Sequence, residues 1–359
     1  MKNLFIVALL LTASSYGQVD ASKKESAEKI LAELVHTHKA VGAVAGVLEI
    51  DQFMWYSAQG HMDFKMKTKI NTETLIRTAS IAKSMTAVAV MQLYEKGDIE
   101  LDKPVQHYIK EFPRNVKGDI TIRQLLNHSS GIKGYASNNE RENKKNFETL
   151  TAAMSVFVDR ETIGIPGNEY NYTTYGYVVL GVLIERVTGM SFEAYIKEHI
   201  WHKAGMTHTG VEKHDESAQN KSKLFHKNKR DKIKKVKKPN DLSNRVPGGG
   251  FHTTVVDMLK FGEAVLNNTL VKPETLALML ENNGLRKEGN PYGFGWFLYG
   301  GKSGHADVYG HSGGQTGAST QLLIIPSRKT VIVVMSNTSG GWGEVIGTAA
   351  QLNDIFKSK

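Results

Sequence analysis

The stretch Ser80-Ile81-Ala82-Lys83-Ser84-Met85-Thr86-Ala87-Val88-Ala89-Val90-Met91, running on to Gly97, decides how this chain is read. Its small and apolar residues fall on nearly every side of a helix, and a helix apolar all round is a buried one. Ser80 and Lys83 share one face, a turn apart. A buried ammonium is costly, so a lysine there gives up its proton more readily and can serve as base for the neighbouring hydroxyl. The helix N-terminus favours negative charge, which assists an alkoxide or oxyanion at Ser80. Context carries the reading, because Ser-x-x-Lys is a cheap pattern that Ser26/Lys29 and Ser130/Lys133 also match. Ser26 and Lys29 lie on the polar face of an amphipathic helix, and Ser130 sits in a Ser-Ser-Gly turn. From these residues alone, an N-cap serine followed by a solvent-facing lysine stands beside the nucleophile reading.

Outward from this helix, the order of elements sets the fold class. Ser22 to Lys39 has helical spacing, with Ala27, Ile30, Leu31, Leu34 and Val35 on one face. Gly42–Ile50 and Phe53–Ala58 read as a hairpin around Asp51-Gln52. Residues 70 to 285 are mostly helices and loops. Strands return at Gly293–Tyr299, Thr320–Ile325 and Thr330–Ser336, and a helix over Gly343–Phe356 closes the chain. Strands at both ends predict one five-stranded, mainly antiparallel sheet built from about 18–70 and 285–359 and flanked by helices. The middle, about 71–284, forms a largely helical lobe. The fold class is α+β, with the site expected in the cleft between the lobes.

Composition narrows the function. Lys2, the apolar run Leu4 to Ala13 and Ser15-Tyr16-Gly17 predict a signal peptide over 1–17, a mature chain from near Gln18, and a periplasmic or secreted protein. The apolar run would span about 15 Å as a helix, half of what a bilayer core requires, so no integral membrane segment is expected in the mature chain. The absence of cysteine excludes a lipid-anchored lipoprotein, disulfides and thiolate metal sites. The formal charge is +9, and Lys221 to Lys238 alone holds ten Lys or Arg against Asp231. The rest is near neutral, and the basic segment lacks the row of aromatic residues that base stacking needs, so it reads as a solvated hairpin and not a nucleic-acid site. His199 and His202 have no evident third partner, so no metal is expected. Gly248-Gly249-Gly250 is followed by no P-loop lysine, and no cofactor is implied.

The segment around Ser80 and Lys83 resembles the nucleophile helix of the serine β-lactamase and penicillin-binding-protein superfamily, most closely its class C branch. Leu101-Asp102-Lys103-Pro104-Val105, Ile120 to Gly131, and Pro166-Gly167 before Tyr170-Asn171-Tyr172 are similar to further stretches of that superfamily, in the same order. The resemblance implies a β-lactamase/transpeptidase-like fold and a serine hydrolase acting on amide or ester bonds of a small molecule or peptide through an acyl-enzyme. Tyr172-Thr173-Thr174 stands where the superfamily has Tyr-x-Asn, which puts Tyr172 in the proton shuttle. Thr174 lacks the amide of Asn, which counts against efficient β-lactam binding. His311-Ser312-Gly313 stands for Lys-Thr-Gly, and the backbone N–H groups of Ser80 and Gly314 are the implied oxyanion hole. His311 is expected to titrate near neutrality, so activity on carboxylate-bearing substrates should fall above pH 7. Thr174 with His311 is most similar to the mitochondrial serine β-lactamase-like branch and its bacterial relatives, a branch linked to peptide hydrolysis and filament assembly. The alternative is therefore a low-turnover binding or assembly protein, and a homo-oligomer fits either reading. Gly310-His311-Ser312-Gly313-Gly314 also matches the Gly-x-Ser-x-Gly elbow of α/β-hydrolases, but a strand follows it instead of a helix and no histidine comes later.

Overall fold

The computed structural model describes residues 17–357 apart from 38, 64, 66, 114–116, 214–219 and 301–306. The segment expected as a signal peptide, 1–17, lies outside the described residues except for Gly17. Strands β1 (Gly42–Glu49) and β2 (Phe53–Asp63) form the N-terminal hairpin, with β3 (Thr68–Lys69) on its outer edge. From the C-terminal end come β9 (Phe297–Tyr299), β10 (Val308–Gln315), β11 (Ala318–Ile325) and β12 (Thr330–Ser336). β1 pairs with β12, joining the two ends in one antiparallel sheet of seven strands, ordered β3-β2-β1-β12-β11-β10-β9.

The expected five strands thus become seven. Thr68–Lys69 is too short to leave a pattern, and β10 breaks the usual one. Val308-Tyr309-Gly310-His311-Ser312-Gly313-Gly314-Gln315 has three glycines and no alternation of apolar residues. Close approach explains two of them. A Cβ at Gly310 would lie 2.0 Å from the Leu322 carbonyl oxygen, and one at Gly313 would lie 2.8 Å from Ala79 Cβ. The predicted strand from Gly293 shrinks to β9, because Gly295 takes a left-handed φ of 82° against Lys83, Ser84 and Ala87.

Helices α1 (Ala21–His36) and α11 (Trp342–Phe356) cover one face of the sheet, where Ala27, Leu31, Val345 and Leu352 pack on Ala43, Ala45, Val47 and Val334. The alternate residues of β1, Val44 and Leu48, face the other way. There α9 (Val255–Leu266) packs so closely that a Cβ at Gly46 would lie 2.7 Å from Leu259 Cδ1.

Beyond α9 lie α2 (Ala82–Lys96) and α6 (Thr174–Thr188), each stopped by a left-handed glycine, Gly97 and Gly189. Every residue of α2 from Ala82 to Leu93 is buried, as its all-round apolar surface predicts. Shorter helices surround this pair: α3 (Ile122–Leu126), α4 (Asn138–Arg141), α5 (Leu150–Met154), α7 (Phe192–Ile196), α8 (Val246–Gly249) and α10 (Pro273–Met279). Two small sheets complete the fold. β8 (Phe251–Thr253) lies between β4 (Ile76–Arg77) and β5 (Gly210–Val211), and the basic segment forms a hairpin, β6 (Phe225–Lys227) and β7 (Ile233–Lys235), docked on β13 (Thr338–Ser339).

Among the described residues no helix is long and apolar enough to cross a membrane.

Candidate active site

Ser80 sits in a 3-10 turn, Ala79–Ile81, that links β4 to α2. The turn is strained, with Ala79 at a φ of 48°, a conformation that costs a non-glycine residue about 1 kcal/mol. Gly313 of β10 seats against it, and Thr320 of β11 donates to the Thr78 carbonyl at 3.0 Å. The result holds a half-buried Ser80 at the wall of a cleft of about 790 Å³. Tyr172, Thr174, Gly248, Gly314 and Gln315 line the same cleft.

Lys83 is fully buried, with its Nζ 3.2 Å from Ser80 Oγ, 3.3 Å from Thr174 Oγ1 and 2.7 Å from the Gly248 carbonyl oxygen. Burial, with the Arg245 guanidinium adding to it, lowers its pKa to about 7. A neutral amine has two hydrogens and one lone pair. Gly248 O can only accept and Thr174 Oγ1 is free to accept, so the lone pair is left for the Ser80 hydroxyl. The arrangement can therefore take a proton from Ser80.

Tyr172 packs its ring 4.9 Å from Lys83 Nζ and within reach of the Ser80 side chain. Burial holds its phenol well above the usual range, so it stays protonated and can donate. Its backbone is fixed by His128, whose carbonyl accepts from Asn171 N–H at 2.7 Å and whose Nδ1 accepts from Thr173 N–H at 3.3 Å. The rings of His128 and Tyr172 lie 4.2 Å apart.

His311 is buried on β10 behind Tyr172 and corrects an expectation. Its Nδ1–H donates to the Ser312 carbonyl at 2.6 Å, and its Nε2 accepts from the Tyr292 hydroxyl at 3.0 Å. Both ring nitrogens are thus satisfied by the neutral imidazole. Burial first, then the Lys83 charge, push its pKa down to about 3. It does not titrate near pH 7 and cannot supply the positive charge of a lysine. Ser312, its neighbour, is within hydrogen-bond reach of Tyr299. Gly313 supports the Ser80 turn, and Gly314 is exposed in the cleft where it faces Ser319 in register.

Four contributors were not among the residues that the sequence assigned to the site. The Gly248 carbonyl is one, since any residue type has a carbonyl; the signal is the missing side chain, because a Cβ there would lie 2.5 Å from Thr174 Cγ2. Gln315 bridges the cleft, donating to the Gly249 carbonyl at 3.1 Å. His128 and Arg245 are the others. Among the described residues no group of three His, Asp or Glu could hold a metal ion, and His199 stands with Glu198 alone at 3.9 Å.

Comparison with known proteins shows the family and the fold. The family model described as Beta-lactamase matches residues 27–354. Human mitochondrial serine beta-lactamase-like protein LACTB is 28% identical over 396 residues, covering 84% of this chain and 72% of that protein. Among solved structures, the D-amino acid amidase of Ochrobactrum anthropi SV3 has a TM-score of 0.81 at 19% identity, covering 94% of this chain and 99% of that one. The octameric penicillin-binding protein homologue of Pyrococcus abyssi has a TM-score of 0.77 at 25% identity, covering 93% and 78%.

Proposed function

Since the chain belongs to the β-lactamase family, whose members are serine hydrolases, we propose that it hydrolyses amide or ester bonds through an acyl-enzyme on Ser80. One observation carries this reading: a buried, depressed lysine amine lies 3.2 Å from a cleft-facing serine hydroxyl. In the first half-reaction Lys83 takes the Ser80 proton and Ser80 Oγ attacks the substrate carbonyl. The backbone N–H groups of Ser80 and Gly314 receive the oxyanion. The proton passes from Lys83 through Tyr172 to the leaving nitrogen or oxygen, whose bond to carbon breaks. Water then attacks the ester carbonyl, returns a proton to Ser80 and releases the acid.

Three features favour simple amides and esters over β-lactams: Thr174 in place of an amide side chain, a neutral His311, and an amidase among proteins of the same fold. The octameric homologue supports a second reading, self-association, which light scattering on the purified chain would measure.

The test is intact mass after exposure to a fluorophosphonate. One adduct is expected on the wild type and on Ser312→Ala, and none on Ser80→Ala. An adduct surviving Ser80→Ala, or none on the wild type from pH 6 to 9, would overturn the proposal.

A further inference from the structure

Arg245 lines the cleft, is 3% exposed, and forms no ion pair with a carboxylate among the described residues. Its Nε donates to Asn244 Oδ1 at 2.8 Å, and its Nη2 donates to the backbone carbonyls of Glu140, at 3.2 Å, and Arg141. The guanidinium lies over the Tyr135 ring, 4.6 Å from its centroid. Nη1 has no hydrogen-bond partner among the described residues. The other buried arginine among the described residues shows what a purely structural one receives here. Arg77, 2% exposed, has Glu212 on Nε and Nη2, and Asn240 Oδ1 and the Thr316 carbonyl on Nη1 at 2.6 and 2.8 Å.

A buried guanidinium without a counter-charge is costly, and the fold makes this one costlier by placing Lys83 within its field. The neighbouring acids are engaged elsewhere. Glu140 pairs with Arg160 at 2.9 Å, and Glu142 accepts from Thr316 at 2.6 Å and stands 3.5 Å from Arg141. The contacts of Arg245 give it a direction. Tyr135, under its guanidinium, is hydrogen-bonded to Thr174, which stands 3.3 Å from Lys83 Nζ, whereas Tyr172, the proposed proton donor to the leaving group, packs on Phe297 and Tyr292.

We propose that Arg245 is the specificity-determining residue of this cleft and receives a carboxylate carried by the acyl part of the substrate. The preferred substrates are then amides or esters of dicarboxylic acids, or acyl groups ending in an acidic residue. The free Nη1–H supplies a charge-assisted hydrogen bond to that carboxylate. This rests on the reading of Ser80 as nucleophile.

Two amides of 7-amino-4-methylcoumarin test it, glutaryl and pentanoyl, equal in acyl length and different in charge. The wild type is expected to favour the glutaryl amide by about tenfold or more in kcat/KM. Arg245→Met should bring the ratio to about one, and Arg245→Lys should leave an intermediate ratio, since a point charge replaces the fork. A wild-type ratio near one, or a ratio that survives Arg245→Met, would overturn the proposal. Calorimetric binding of glutarate to Ser80→Ala separates the two readings without turnover. Glutarate binding with no hydrolysis of either amide would remove Ser80 as nucleophile and keep Arg245. Hydrolysis of both at equal rates with no glutarate binding would keep Ser80 and remove Arg245. Should Arg245→Met fail to fold, the wild-type ratio and the glutarate titration still decide.

Discussion

Lys83 has three neighbours within hydrogen-bond distance, and its protonation state decides what they do. As an ammonium it donates to all three; as an amine it accepts from Ser80. Turnover of a neutral ester should therefore rise with pH through about 7, the value to which burial lowers this lysine, and level off above it. A profile flat from pH 5.5 to 9 would remove Lys83 as base. The same shift has a sign in stability. The folded pKa lies below the unfolded one, so between about 7 and the ordinary lysine value the unfolded chain binds more protons and stability rises with pH. Below that window the folded protein bears the full cost of a buried ammonium. Lys83→Met should thus lose at least about a hundredfold in activity and gain most in melting temperature at pH 7 and below, the gain shrinking toward pH 10. Calorimetric melts across that range would show it. His311 contributes no break between pH 6 and 8, because its Nε2 is already occupied by the Tyr292 hydroxyl, so the expected loss on carboxylate substrates above pH 7 is withdrawn.

At the scale of elements, α8 and β10 are glycine-rich backbones that meet the Ser80 turn and the first turn of α2. Gln315, His128 and Arg245 stand in none of the three catalytic motifs, but the side-chain chemistry of Ser80, Lys83, Tyr172 and Thr174, which converge, was legible in the sequence. Backbone chemistry was not. The Gly248 carbonyl holds Lys83, and β10 lies beside Ser80, through close approaches that a side chain would block, and a sequence records such an approach only as another glycine. Gly248 sits between Thr174 and Lys83, so Gly248→Ala should push the carbonyl away from Lys83 Nζ. The expected result is a loss of about 1–3 kcal/mol of stability and a larger proportional loss of fluorophosphonate reactivity, with the pH midpoint of that reactivity displaced from the wild type. An unchanged midpoint would mean that the carbonyl does not position the amine.

For the whole molecule, the sheet was legible because its central strands alternate or run apolar, and because β1 and β12 come from opposite ends of a chain whose middle is helical. The basic segment was half legible. Its ten cations predict a solvated hairpin, and β6 and β7 form one, but three of its lysines are tied to acids outside it, two of them far away in sequence. Lys221 stands 3.5 Å from Glu212, Lys235 3.1 Å from Asp63, and Lys227, 6% exposed, reaches Glu344 at the start of α11. The pairs with Asp63 and Glu344 clip the hairpin to both ends of the chain beside the cleft, where His226, Ser339 and Trp342 form part of the wall. Burial separates the cations that stabilise from those that merely solvate. Lys229, Arg230, Lys232 and Lys234 are exposed, so replacing each with Gln should change unfolding free energy by no more than about 0.5 kcal/mol. Lys227→Met leaves the Glu344 carboxylate, a quarter exposed, without its cation, and should cost about 1–3 kcal/mol. Urea melts of the five variants at a common slope would read the contrast. Equal midpoints for Lys227→Met and the exposed set would mean that the hairpin is held by β6 pairing with β13 alone, and that its charge serves the cleft from outside without contributing to the fold.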